Sequence, residues 1–301
     1  MTARVGIDLG GSKIESVALG PSGEELARMR VATPASGYDA IIQAVVDLVA
    51  DVATAAGETH ETVGIGTPGA PSPTTGLLKN SNSTVLNGRP LEGDLAAALD
   101  RPVVMRNDAD CFAVSEAIDG AGVRAEVVFG VILGTGVGGG LVVGGAVRSG
   151  PNRIGGEWGH NPLPWSDDVE LPGPACYCGK RGCIEQWLSG ISFAADHTRR
   201  FGGEMTAVEV VAAARAGNGD ARQSLNRYVD RLARALATVI DVVDPDVIVL
   251  GGGMSNVDEL YEEVPAVWAD YVFGGEVLTR LVRNVHGDSS GVRGAAMLVP
   301  T

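Results

Sequence analysis

Cys176, Cys178 and Cys183 fall within eight positions of one another. Thiolates crowded on one short loop are soft ligands for a borderline metal. With His160 as the fourth donor, the set is three sulfurs and one nitrogen with no position left open, the make-up of a structural zinc site. A lone Cys-x-Cys is more often two buried thiols, so the third cysteine is what points to a metal. Cys111 is left over and reads as a packed thiol inside a helix. His60, His197 and His286 have no comparable context and read as ordinary surface or core residues.

Glycine turns suggest phosphate chemistry. Asp8-Leu9-Gly10-Gly11-Ser12-Lys13 sets a carboxylate just before a turn that carries a hydroxyl and a lysine. Glycines let the backbone approach a phosphate, and Asp8 could hold water on Mg²⁺, although a plain hairpin turn explains the glycine pair equally well. Gly134-Thr135-Gly136-Val137-Gly138-Gly139 matches G-x-G-x-x-G. That fingerprint needs a helix opening at its third glycine, whereas this chain continues as Leu141-Val142-Val143-Gly144-Gly145, extended and turning again. The segment is therefore expected to be a second phosphate-contacting hairpin, and Gly251-Gly252-Gly253 a third glycine turn at a strand end. Arg106-Asn107-Asp108-Ala109-Asp110 follows the apolar run Val103-Val104-Met105. Asp108 should thus stand where a strand ends and a helix begins, where it could cap the helix and where the helix terminus favours its ionised form.

The elements that must hold these residues follow from periodicity. Arg4 to Gly20 reads as two strands joined at Gly10-Gly11, with more strand through Val31. Ile41, Ile42, Val45, Val46, Leu48, Val49 and Val52 give Tyr38 to Ala56 the period of a helix with one buried face. Val63 to Gly66 is a short strand, and the Pro-, Gly-, Asn- and Ser-rich run from Pro68 to Pro90 a long ordered loop. Cys111 to Ile118 is helical, Val127 to Val147 repeats the strand, glycine turn and strand of the N-terminus, Tyr228 to Val243 is an amphipathic helix, and Val247 to Leu250 a buried strand. The repeat predicts two related lobes, 1–118 and a larger 119–289 that carries the cysteine loop, with a helix at about 290–301 returning to the first.

The 301 residues are 45% hydrophobic and 20% charged, enough to bury one or two cores. A formal net charge of −14 lacks the basic footprint that nucleic-acid binding requires. The uncharged stretch Val127 to Val147 invites comparison with a membrane span, but its eight glycines read better as strand, turn and strand. With no apolar leader after Met1, a cytoplasmic protein is expected.

The motifs become specific in combination. Glu157-Trp158-Gly159-His160 and Cys176-Tyr177-Cys178-Gly179-Lys180-Arg181-Gly182-Cys183-Ile184-Glu185, with the glycine turns, resemble the ROK family of repressors, uncharacterised reading frames and kinases, from the first strand to Gly294. The resemblance implies an α/β fold, the two-lobed actin-like ATPase and sugar-kinase fold with ribonuclease H-like lobes and a cleft between them. It implies ATP and Mg²⁺ at Asp8, Gly10, Gly11, Ser12, Lys13, Gly134, Thr135, Gly136, Gly138, Gly251, Gly252 and Gly253, and Asp108 as the general base toward a sugar hydroxyl. It assigns sugar contacts to Gly69, Asn82, Asn107, Asp108, Glu157, His160 and Glu185, with His160 holding a hydroxyl by one ring nitrogen and zinc by the other. It also implies a homodimer.

Within the family the likeness is to bacterial fructokinases that also accept mannose, carried by Lys79 to Thr84 with Leu86-Asn87-Gly88, Asn161 to Trp165, Tyr271 to Glu276 and His286 to Gly291. The expected product is fructose 6-phosphate, with mannose and glucose as secondary substrates. The alternatives are an N-acetylglucosamine kinase or glucokinase of the same family, a sugar-sensing repressor and a non-catalytic zinc scaffold. The repressors carry an extra N-terminal helix-turn-helix, whereas here the first glycine turn begins at Asp8. Retention of Asp8 and Asp108 argues against the scaffold.

Overall fold

The computed structural model describes residues 3–57 and 62–299, so His60 lies outside the described residues. The chain forms two compact units, one from Met1–Arg124, Gly140–Gly156 and Val285–Thr301, the other from Ala125–Gly139 and Glu157–Asn284.

The first unit is built on β1 (Arg4–Leu9), β2 (Lys13–Leu19), β3 (Glu25–Ala32), α1 (Tyr38–Ala56), β4 (Val63–Thr67), the short pair β5 (Ala70–Pro71) and β6 (Leu78–Lys79), α2 (Leu91–Leu99), β7 (Val103–Asn107) and α3 (Asp108–Ile118). Its sheet runs β3-β2-β1-β4-β7. The first three strands form antiparallel hairpins, and β4 and β7 add in parallel. Parallel strands are buried on both faces, and Val63, Ile65 and Met105 are fully buried accordingly. Ile41, Val45, Leu48, Val49 and Val52 form the buried stripe of α1, which Gly57 ends in the left-handed region. The expected loop from Pro68 to Pro90 contains the β5–β6 pair and a 3₁₀ turn at Thr84–Leu86.

The chain continues through β8 (Val127–Leu133), β9 (Val137–Val143), β10 (Ala146–Val147), α4 (Glu185–Leu188), α5 (Gly190–Phe201), α6 (Ala207–Arg215), α7 (Gly219–Val243), β11 (Val247–Gly251), α8 (Leu260–Trp268) and β12 (Arg280–Arg283). The second sheet runs β10-β9-β8-β11-β12, with β8, β11 and β12 parallel. The G-x-G-x-x-G match opens into β9 and no helix follows it directly, as its extended sequel foretold. The apolar stretch Val127 to Val147 is β8, β9 and β10, and among the described residues no helix is long and apolar enough to cross a membrane.

Residues 140–156, set in the second lobe by the sequence reading, belong with the first unit. Gly140 explains this: a Cβ there would stand 2.5 Å from the Ala109 carbonyl oxygen, so the β9 backbone seats directly on α3. Ser149 then donates to Asp110 of α3.

The last helix, α9 (Ser290–Met297), belongs to the first unit and lies on its sheet. Missing side chains create that contact, since a Cβ on Gly64 would fall 1.8 Å from the Ala295 carbonyl oxygen and one on Gly6 2.4 Å from the Ala296 nitrogen. Gly294 likewise sits against the Cys111 carbonyl of α3, where a Cβ would be 1.6 Å away. The fully buried Glu116 of α3 accepts from the Val285 amide at 3.1 Å and the Ser290 hydroxyl at 2.8 Å, tying the start of α9 down. Because the obstacle at Gly294 is the Cys111 backbone, it cannot rotate away. Gly294→Ala is therefore expected to destabilise the protein by roughly 3 kcal/mol, the upper range for overpacking. Urea denaturation reads this directly, and a loss below about 0.5 kcal/mol, typical of surface changes, would show that the helices do not meet backbone to backbone.

Candidate active site

Asp108 begins α3 where β7 ends. Asn107 is the N-cap: its Oδ1 accepts from the Ala109 amide at 2.9 Å while its Nδ2 donates to the Gly69 carbonyl oxygen at 3.3 Å. Gly69 has φ of +80°, and a Cβ there would lie 2.3 Å from the Lys79 carbonyl oxygen, so only glycine brings that carbonyl to Asn107. Asp108 Oδ1 also accepts from the Ala109 amide, at 2.8 Å. The helix terminus was expected to favour the ionised form. The net direction is the opposite: burial raises the Asp108 pKa, and the backbone hydrogen bonds from Ala109 and Asp108 offset it only in part. A carboxylate moved toward neutrality is a stronger base than an ordinary one.

Asp8, at the end of β1, is pushed up to about 6, first by burial, then by the charges of Asp108 and Glu15, against Lys13 and Arg30. Gly10 closes the turn by donating to the Lys13 carbonyl at 3.0 Å. Gly11 and Ser12 are exposed, while the Lys13 ammonium lies 3.9 Å from Glu15. Asn82 is exposed on a bend beside the Ser81–Asn87 pair, which exchanges hydrogen bonds of 2.9 and 2.8 Å. A polar cavity of about 190 Å³ opens beside Asn107, walled by Arg106, Asp110, Ser149 and Arg153. Its far wall comes from the 140–156 segment, which sequence reasoning had assigned elsewhere.

In the second unit, Gly134, Thr135 and Gly253 line a cavity of about 1000 Å³. Ile191, Ala194, Met205, Val208 and Met254 make its walls apolar, and nothing in the motifs had marked them. The available signal was apolar residues off the core face, since Ile191 and Val208 are exposed on α5 and α6. A large apolar cavity with glycine turns at its rim suits a nucleotide's base and phosphates. The remaining glycines support the turns: Gly252, at φ +78°, abuts the Leu133 carbonyl that ends β8, Gly251 closes β11, and the Gly138 carbonyl accepts from the Trp158 indole at 3.0 Å. Gly136 abuts Glu185, where a Cβ would stand 2.6 Å from Oε2. That oxygen accepts from the Val137 amide at 3.0 Å.

His160, Cys176, Cys178 and Cys183 converge with all four ligand atoms within 4.8 Å of one another. Zinc bonds of about 2.3 Å to sulfur set tetrahedral S···S edges of about 3.8 Å, and Cys178 and Cys183 already stand 3.6 Å apart. The donor set fits zinc with every position filled, and such an ion would supply orientation alone. His160 turns Nδ1 to the Cys176 sulfur at 3.6 Å. Its other ring nitrogen, Nε2, meets the Tyr177 hydroxyl at 2.9 Å, so the nitrogen left for a sugar hydroxyl faces the Tyr177 oxygen. When Nδ1 binds a metal, Nε2 keeps its hydrogen and donates to that oxygen. Tyr177 went unmarked although it lies between two of the cysteines, and it is 76% exposed. Glu157 precedes the 3₁₀ turn Trp158–His160, its carbonyl accepting from the His160 amide at 3.3 Å.

The chain belongs to the ROK family, whose description it matches over residues 4–301. It is 40% identical to the N-acetyl-D-glucosamine kinase of Shigella boydii over 298 residues, 97% of this chain and 98% of that protein. The ROK hexokinase of Thermus thermophilus matches with a TM-score of 0.88 at 32% identity, covering 98% of this chain and 97% of the other. A ROK family glucokinase of Streptomyces griseus, solved with glucose and AMPPNP, matches with a TM-score of 0.78 at 27% identity and 99% coverage of both. The fold is thus the α/β one of the actin-like ATPases and sugar kinases.

The raised pKa of Asp8 has a consequence for stability. Between its ordinary 3.8 and the folded value of about 6 the native state binds the extra proton, so stability falls as pH rises through that window and the penalty is complete above it. In magnesium-free buffer, Asp8→Asn should therefore stabilise the protein at pH 7 by about 2 kcal/mol, the shift discounted for partial exposure, with the gain fading toward pH 4. A variant no more stable than the parent at pH 7 would show that Asp8 is not held against its charge.

Proposed function

We propose that this protein is an ATP-dependent sugar kinase that transfers the γ-phosphoryl group of ATP to the primary hydroxyl of a hexose, giving the hexose 6-phosphate. The observation that carries the reading is Asp108, half-buried at the joint of β7 and α3 beside the fixed amide of Asn107, in a chain of the ROK family. Asp108 accepts the proton of the attacking hydroxyl, and its raised pKa suits it to that step. Asn107, with Asn82 and the Gly69 backbone, and Glu157, His160 and Glu185 are assigned to sugar hydroxyls, as donors and acceptors of fixed direction. The 1000 Å³ cavity with Gly134, Thr135 and Gly253 takes the nucleotide. Asp8 and the Gly10–Lys13 turn serve the phosphates, where Mg²⁺ would neutralise developing charge. Zinc on His160, Cys176, Cys178 and Cys183 belongs to the same proposal, as does a homodimer working in the cytoplasm.

For the sugar, N-acetylglucosamine is the better supported reading, because a kinase named for it is 40% identical over nearly the whole of both chains. The fructose reading rests on four segments, two of which meet each other: Trp165 stacks on Tyr271 with ring centroids 5.6 Å apart, and Phe273 beside them is 94% exposed. Their likeness to fructokinases therefore speaks to the packing of that surface more than to a sugar. A coupled ADP-release assay over free hexoses decides. N-acetylglucosamine should give the highest kcat/KM, whereas a preference for fructose with mannose second would restore the other reading, and no hexose-dependent ADP release would end the kinase assignment. Asp108→Asn should keep the fold and lose about 10²- to 10⁴-fold in kcat. Turnover within a few-fold of the parent would reduce Asp108 to a helix residue.

A further inference from the structure

Glu185 opens α4, which is four residues long. So short a helix cannot hold its own direction, because nucleation costs more than one turn returns. What packs on it must set that direction. From α7, the buried Tyr228 hydroxyl donates to the Leu188 carbonyl oxygen at 2.8 Å. One turn further on, the Arg231 guanidinium lies over the Trp187 ring, 4.3 Å from its centroid.

Arg231 is fixed along its other edges, donating from Nε to Glu170 at 2.7 Å and from Nη1 to Asp196 at 2.8 Å. Arg234 donates to both Glu170 oxygens at 2.9 Å, and to the carbonyls of Pro164 and Trp165 at 3.0 and 2.9 Å. Arg231, Arg234, Glu170 and Trp187 are all buried. Burial alone would raise the Glu170 pKa, but hydrogen bonds and charge from Arg234 and Arg231 outweigh it and hold the carboxylate ionised. The segment that carries Glu170 reaches the cysteine loop, since Pro162 bridges to Cys183 and a Cβ on Gly173 would stand 2.4 Å from Gly182. Buried ion pairs add little net stability; this one joins α7 to the segment that leads into the cysteine loop.

We propose that Arg231 is a positioning residue for Glu185. Its flat guanidinium, spread between Trp187 and the carboxylates of Glu170 and Asp196, sets where the Glu185 carboxylate stands. It thereby sets both the hold on the Val137 amide and the reach toward a sugar hydroxyl. The second of these rests on the kinase reading given above. Lysine cannot substitute, because a point charge neither stacks on an indole nor spans two carboxylates.

The test is Arg231→Lys in the parent and in a Glu185→Gln background, with kcat/KM for the preferred hexose, zinc content and melting temperature read together. In the parent, kcat/KM should fall between about 10- and 100-fold, the cost of a misplacement near 1 Å, with zinc content unchanged. In the Glu185→Gln background the same change should cost less than about twofold, because residues acting through one another are not additive. Equal losses in both backgrounds, or a lower melting temperature with kcat/KM intact, would overturn the proposal. Should Arg231→Lys fail to fold, Tyr228→Phe removes a single hydroxyl from the same support, and its loss too must vanish in the Glu185→Gln background. A parent that releases no ADP with any hexose overturns the kinase reading itself, an outcome separate from these.

Discussion

The Glu185 carboxylate rests on the Val137 amide at 3.0 Å because Gly136, having no side chain, leaves room for it. Much of the second unit is arranged around that contact. Glu185 follows Cys183 by two positions, so whatever fixes the cysteine loop fixes the carboxylate. The loop in turn is closed by the Leu163 amide on the Gly182 carbonyl and the Ile184 amide on the Asn161 carbonyl, both at 2.9 Å. A glycine turn is soft by itself. Here it is braced from the side by a buried carboxylate, and Gly190 adds a 2.8 Å bond to the Gly134 carbonyl at its base.

The first unit solves a different problem, that of holding acids close together. Asp8 lies near the end of β1 and Asp108 directly follows β7, with β4 between those strands in one sheet, and each is raised by burial, Asp8 further by the charge of Asp108. Such an arrangement opposes folding, and it persists because the surrounding backbone contacts of α9 and α3 over-determine it. Glu116 and the glycines at 6, 64 and 294 provide that determination without any charge at the site. A cation or a substrate proton would relieve the crowding, which is the electrostatic signature expected of a working site.

Features carried by contiguous residues were legible in the sequence. The span of α1, the strand and glycine-turn pairs, the β7–α3 joint at Asp108 and the four converging metal ligands all follow from local periodicity, turn chemistry and ligand type. Long-range features were not. Arg231 and Arg234 meet Glu170 across more than sixty positions, and an arginine on an amphipathic helix looks like a solvated face until its partner is known. Tyr177 was quoted within a motif yet given no role, because only the fold turns its hydroxyl to His160. The direction of the Asp108 pKa was misjudged for a related reason: the helix terminus is visible in the sequence, whereas desolvation depends on everything that packs around it.

The central claim is that a metal-shaped loop holds the carboxylate on which sugar turnover depends. The direct measurement is zinc content by elemental analysis together with hexose-dependent ADP release on one preparation, made without chelators, then stripped, then resupplied with zinc. The account predicts about one zinc per chain, a loss of at least about tenfold in kcat/KM on stripping, and recovery on resupply, the range found for groups that orient a site from outside it. An active preparation without zinc, or a stripped protein with its kcat/KM intact, would contradict it.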